Sequence, residues 1–345
     1  MQSSGFYIGE FPLAHIGIFD FRGADFAADS RYYGLHMHES YIIAHLRSKA
    51  GGRQLHLVRP MMLFTSSGLS FSCSRADGGI YQDARGAEFL RGGTFERRVD
   101  DSGAIRLTGS SGFWSGGVPL QVDVTLGERF EWLDSGHVEL HGRSIGPSMQ
   151  TYVASRERHG GTGVCHTGTF YEGGGTVFGE AVEGILVVEH VFSPPDKILA
   201  DSSIRRRFAG GWNGFATVFE DGGTQHGHIA YGAGPFRFAN IIDGDRHIAS
   251  AIKSVRTETD AHGLGRRAEY HLANGEVWEF VTETTYMDFL ALARAAGSTT
   301  QCHKGYVQRA GETRRRKAWY SIQEWVPERL RDGAAEAQDI LPRGF

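Results

Sequence analysis

The chain has 345 residues, 40% of them hydrophobic and 22% charged, with a formal net charge of −4. That balance supports a folded core, argues against wholesale disorder and offers no basic footprint for nucleic acid. Glycine is the outlier: 48 residues (about 14%, against a usual ~7%) with only 9 prolines and no Gly-X-Y period exclude collagen and fit an all-β chain rich in turns and bulges.

From the N-terminus, Met1 to Tyr7 (MQSSGFY) carries neither a basic n-region nor an apolar h-region, and no stretch approaches the roughly 18 apolar residues of a membrane span. His36-Met37-His38-Glu39 puts two histidines on one strand face, with His45 further on. Such an H-x-H pair can seed a metal site in cupin-type barrels. Here the completing glutamate is not at the expected spacing and no third histidine follows on a matched strand, so no metal is expected.

Turn signals then arrive at short, even intervals: Asp77-Gly78-Gly79, Asp101-Ser102-Gly103, Ser115-Gly116-Gly117 and Ser135-Gly136. The second half continues with Asp221-Gly222-Gly223, Asp243-Gly244-Asp245, His262-Gly263-Leu264-Gly265 and Asn274-Gly275. Asp-Gly and Asn-Gly between apolar runs are strong hairpin signals, because the favoured turns need positive φ. The spacing predicts an antiparallel sandwich or barrel rather than βαβ units. Gly142-Arg143-Ser144-Ile145-Gly146 matches the letters of a nucleophile elbow, but Pro147 follows and no helix opens, so Ser144 reads as a turn serine.

Two aromatic- and glycine-rich blocks follow, Thr167 to Phe192 and Gly211 to Thr224, which read as barrel strands joined by tight turns. Between them, Ser193-Pro194-Pro195-Asp196-Lys197 interrupts the strand pattern and divides the chain into two expected domains, 1–192 and 193–345. Arg205-Arg206-Arg207 and Arg314-Arg315-Arg316-Lys317 read as solvated loop or strand-edge charge. His226-Gly227-His228 repeats the H-x-H pairing close to a turn and reads as solvent-exposed or hydrogen-bonded. In Glu276 to Val281, Glu276, Trp278 and Phe280 share one strand face. Tyr286 to Ala296, closed by Gly297, is the best helix, and a second short one is expected after Pro327. Cys73, Cys165 and Cys302 are scattered with no C-x-x-C, which fits reduced thiols and a cytoplasmic protein. No Gly-x-Gly follows a strand and opens a helix, and there is no P-loop, so no cofactor is expected.

The order Val182-Glu183-Gly184, Glu189-His190, Gly211-Trp212 and Glu220-Asp221-Gly222 resembles the tandem lipocalin-like family of carotenoid 1,2-hydratases and AttH-type proteins. In that family a V-x-G strand leads to D-H-x-W, then a W-x-W/F strand and a D-G turn. Glu189 stands where the family has aspartate, and Phe192 where it has tryptophan. The resemblance covers roughly residues 160–245. It implies an all-β fold of two lipocalin-like (calycin) antiparallel β-barrels in tandem, with one or two short helices and an apolar ligand pocket in or between the barrels.

Glu189 and His190 are the leading acid–base candidates, with Glu183 as a second carboxylate on the Glu189 face of a continuous strand. Neighbours on a regular strand point to opposite faces, so Glu189 and His190 share a pocket only across a bulge or strand end. Trp212, which the resemblance brings near the pocket, is grouped with Phe215, His38 and Phe178 as substrate-binding. Two functions follow. One is a cofactor-independent lyase, hydratase or isomerase acting on a hydrophobic small molecule such as an isoprenoid, steroid or polycyclic aromatic. The other is a non-catalytic carrier of the same ligands. The expected partner is that small molecule, with no nucleic acid and no membrane span, and a homodimer is left open.

Overall fold

The computed structural model describes residues 9–11, 14–19, 31–32, 35–62, 65–66, 69–83, 89–99, 105–113, 120–126, 128–134, 137–153, 164–193, 211–231, 237–295 and 299–325. Among these the chain is all-β, with strands β1 to β24 in chain order and one helix, α1 (Met287–Ala295). No helix among them is long and apolar enough to cross a membrane.

The C-terminal strands close on themselves. β17 (Gly211–Phe219), β18 (Thr224–Tyr231), β19 (Arg237–Asp243), β20 (Arg246–Thr259), β21 (Gly265–Leu272), β22 (Val277–Tyr286), β23 (Gln301–Arg309) and β24 (Arg316–Trp325) pair antiparallel in sequence. β24 then pairs back onto β17, which makes a closed eight-stranded barrel with no edge strand. The expected turns supply the corners: Gly222, Gly244, Gly263 and Gly275 all adopt positive φ. Phe215, Trp278, Phe280 and Trp325 fill the interior with Ile229, Ile241 and Val307. Beside them Asn213 donates to Gln323 (2.8 Å), Tyr270 donates to the same oxygen (2.6 Å), and Ser321 donates to Asn213 (2.9 Å).

The N-terminal strands form one long antiparallel run. It proceeds through β9 (Phe89–Val99), β10 (Ile105–Phe113), β11 (Leu120–Leu126), β12 (Arg129–Asp134), β13 (Val138–Ser144), β15 (Val164–Val177) and β16 (Glu180–Ser193). From β16 it continues through β4 (Leu35–Ser48), β5 (Gln54–Met62), β7 (Ser70–Ser74) and β8 (Gly79–Gln82). β14 (Ser148–Val153) joins β15 to β2 (Ala14–Phe19), and β1 (Gly9–Phe11), β3 (Arg31–Tyr32) and β6 (Thr65–Ser66) are short additions. Its core holds Leu46, Leu55, Leu57, Phe71, Phe130, Trp132, Tyr171, Leu186 and Phe192. A fully buried ion pair between Arg59 and Asp134 also lies on this side.

The outer face of β4, β15 and β16 packs on the outer face of β17, β18 and β24. Ile43, Phe170, Ile185 and Val187 meet Ala216, Val218 and Tyr320 there. Asn240 ties the seam by donating to the Gly17 and Gln150 carbonyls (3.1 Å each). β8 pairs parallel to the end of β22, and the Gln82 N–H donates to Asp288 at the start of α1 (2.7 Å). The helix expected over Tyr286 to Ala296 is thus found as α1; the one expected after Pro327, Trp114 and Arg205 to Arg207 lie outside the described residues.

At Gly227 β18 presses against β19. A Cβ there would run into the Asn240 carbonyl, and the φ of +157° is one that side chains rarely adopt. Gly227→Ala is therefore expected to cost about 1–3 kcal/mol, read as a lower Tm. An unchanged Tm would contradict this packing.

Candidate active site in the seam between the sheets

The period of two along each strand decides which side chains reach the seam. On β16, Val182, Leu186, Val188 and Phe192 turn into the N-terminal core, so Ile185, Val187 and Glu189 face the barrel. On β15 the same alternation sends His166, Gly168 and Phe170 outward, with Gly168 directly opposite Glu189. On the barrel side, Phe215 and Ile229 point inward, which turns Trp212, Gly214, His226 and His228 toward the seam.

The result is a compact cluster. His166 Nε2 lies 3.5 Å from Glu189 Oε2, and ligand-capable atoms of His166, Glu189 and His228 all fall within 4.8 Å of one another. The Trp212 ring stacks on His228 (centroids 4.9 Å apart, 24° between planes) and meets His166 edge-on at 5.3 Å. Phe170 closes the other side, 5.8 Å from His228. Two glycines make room: a Cβ on Gly168 would come to 2.8 Å from His228 Cε1, and one on Gly214 to 3.4 Å from His228 Cδ2.

His228 is fully buried, and neither ring nitrogen has a hydrogen-bond partner. Burial holds its pKa well below the usual imidazole range, with His166 and His226 adding to the effect, so it is neutral at neutral pH. A buried imidazole with two open nitrogens is unusual, since buried polar groups are nearly always paired, and it marks a place for something that hydrogen-bonds or coordinates. The side chains of His166 and Glu189 remain 13% and 14% exposed, so the cluster is not sealed from solvent. Two imidazoles and a carboxylate also form a donor set that can hold a divalent ion.

The sequence candidates separate in space. Glu189 and Trp212 come together, joined by His228. His190 points the opposite way into the N-terminal core, where its Nδ1 meets Ser40 Oγ at 2.8 Å. Register shifts in β16 only between Val191 and Phe192, so no bulge turns the two neighbours to one side. Glu183 is exposed, 3.2 Å from Lys49, about 20 Å along β16 from Glu189. It borders a groove of about 790 Å³ lined also by Arg129, Arg143, Glu172 and Lys317. Phe215 packs on Trp278 inside the barrel, and Phe178 sits at a turn against Phe71 and His137. The side chain of His38 lies outside the described residues.

His226 and His228 are both buried rather than solvent-exposed, because the outer face of β18 is covered by the N-terminal strands. His226 Nε2 is fixed on the Pro147 carbonyl at 3.0 Å, which leaves His228 alone in the cluster. Ser144 is exposed and donates to the Gly146 carbonyl, as a turn serine does. Cys73, Cys165 and Cys302 are buried thiols. His166 escaped notice because only the register of β15 against β16 brings it to Glu189.

No protein-family model matches the chain, and no curated protein does. Among solved structures it is similar to kievitone hydratase from Nectria haematococca, with 10% sequence identity and a TM-score of 0.41 over 92% of this chain and 98% of that one. At that identity and TM-score the likeness carries no weight for function.

Proposed function

We propose that the chain is a lyase, hydratase or isomerase that works by acid–base chemistry, without a cofactor, on an apolar small molecule of the isoprenoid, steroid or polycyclic aromatic kind. In this reading the ligand lies in the seam between two lipocalin-like barrels formed by residues 1–192 and 193–345. The observation that supports it is the meeting of Glu189, His166 and the unpaired His228 beneath the Trp212 and Phe170 rings.

The roles follow from the groups. Glu189 gives or takes the proton at the reacting carbon, and His166, 3.5 Å away, shares that proton and carries it toward solvent. Neutral His228 holds a substrate oxygen or a water through one ring nitrogen. Trp212 and Phe170 supply apolar faces for the ligand and shield the reacting centre from bulk water.

Glu189→Gln keeps the shape and removes the titrating group. Turnover of the molecule retained by the purified protein is expected to fall about 10²–10⁴-fold, with little change in its affinity. His190→Asn, altered on the opposite face, is expected to change Tm rather than turnover. Equal turnover by stable Glu189→Gln and wild type would remove Glu189 from the mechanism, and retention without turnover by wild type would favour a carrier.

A second reading rests on the same 4.8 Å cluster and makes the three residues ligands of a divalent ion. Stoichiometric metal in protein purified without added metal, lost in His228→Asn, would favour it over the cofactor-independent one.

A further inference from the structure

A second polar cluster lies in the seam, built on strands that the acid–base reading does not use. Lys304, on β23, is completely buried and faces β4 and β5. Its Nζ stands 3.3 Å from His45 Nδ1 and 5.4 Å from the centre of the Tyr286 ring. His45 and His56 are cross-strand partners with ring centroids 6.4 Å apart, and the Tyr286 hydroxyl hydrogen-bonds His56 Nδ1. Tyr320 meets His45 edge-on at 6.0 Å.

Among the described residues no carboxylate forms an ion pair with Lys304; its one polar contact is His45. His45 Nε2, His56 Nε2 and Tyr320 Oη are buried with no hydrogen-bond partner. Burial holds the Lys304 ammonium well below its ordinary range, and His45 and His56 well below theirs. A lysine kept for packing would be served as well by methionine, without burying an amine. What sets this residue apart is a buried amine with an imidazole as its polar contact, next to further imidazole and phenol groups that lack partners of their own.

We propose that Lys304 is a carbonyl-reactive amine that forms a Schiff base with an aldehyde or ketone entering the seam. The nitrogen lone pair attacks the carbonyl carbon, a C–N bond forms, and the carbonyl π pair moves to oxygen. His45 takes a proton from the nitrogen, and the oxygen gains one, giving a carbinolamine. Loss of its hydroxyl as water, with a second proton, leaves the C=N bond. Amine and carbonyl become imine and water, with no change of oxidation state. This inference is independent of Glu189 and survives a failure of the acid–base reading.

The chain has five lysines, Lys49, Lys197, Lys253, Lys304 and Lys317, so peptide mapping reads the outcome directly. Wild-type protein is incubated at pH 6.5 with butanal or cinnamaldehyde and cyanoborohydride, which reduces an imine to a stable secondary amine. At that pH an ordinary lysine is neutral in only about one part in 10⁴. Lys304 is expected to be modified about 10²-fold faster than Lys49 and Lys317, which form exposed ion pairs with Glu183 and Glu172. Glu189→Gln is expected to keep the adduct and Lys304→Met to lose it, while the N-terminal amine reports general reactivity. Labelling confined to the N-terminus or the other lysines of folded wild type, with the Lys304 peptide unmodified, would overturn the proposal.

Discussion

Lowering the pH from 7.5 to 5 is expected to destabilise this protein strongly. His45, His56, His226, His228 and His303 are all buried neutral, with His226 held down to about 4 and His303 to about 3, chiefly by desolvation. Unfolded, each returns to about 6.5. Between the folded and unfolded values the unfolded chain binds more protons, so stability is complete above about pH 6.5 and falls as the pH drops, levelling off near pH 4 for His226. At pH 5 His226 and His303 each cost about 2 kcal/mol, and His45, His56 and His228 add to the loss in the same direction, so that together they remove a large part of the stability of an ordinary domain. Asp134, whose carboxyl burial raises despite Arg59, opposes this trend. Lys304 extends the same slope above neutrality, because only the unfolded chain protonates it readily up to about pH 10. Calorimetry from pH 7.5 to 5 reads the result as a falling Tm with an uptake of up to about five protons on unfolding. A Tm that is flat over this range would mean that these imidazoles are solvated.

The second large effect concerns the Arg59–Asp134 pair. Both side chains are fully buried among Leu57, Phe71, Trp132 and Leu140. Removing one partner leaves the other charge in an apolar core, so Arg59→Met or Asp134→Asn is expected to cost about 3–5 kcal/mol. Replacing both with apolar residues of similar volume is expected to recover most of that loss, because the desolvation of two ions disappears with them. Urea unfolding of the two single variants and the double variant measures the coupling. Additive losses would show that each residue acts through packing alone.

The barrel was legible in the sequence where its signals are local. Asp221-Gly222-Gly223, Asp243-Gly244 and Asn274-Gly275 are tight turns because positive φ is a property of a few adjacent residues. The same local rule sent Glu189 and His190 to opposite faces, since β16 has no bulge between them. The candidate site was only half legible. Glu189 and Trp212 were candidates from the sequence and stand at one cluster, but His166 reaches Glu189 through strand register, and His228 through the packing of one sheet on another. Neither contact leaves a trace in residue spacing. Lys304 stands in the mixed run Gln301 to Val307, whose spacing gives no sign of burial; only the N-terminal strands laid over β23 make it a buried amine. The exposure of Glu183 was hidden for the same reason, because a shared strand face says nothing about which stretch of that face is covered.

In the proposed reaction Glu189 and His166 move a proton on a molecule that His228 helps to hold in the seam. The direct measurement is to incubate wild type and Glu189→Gln in D₂O with the molecule that co-purifies and read solvent deuterium in it by mass spectrometry. Carbon-bound deuterium is expected to appear with wild type and to appear about 10²–10⁴-fold more slowly with the folded variant. Deuterium entering at the same rate with both, or with neither while the ligand stays bound, would contradict it.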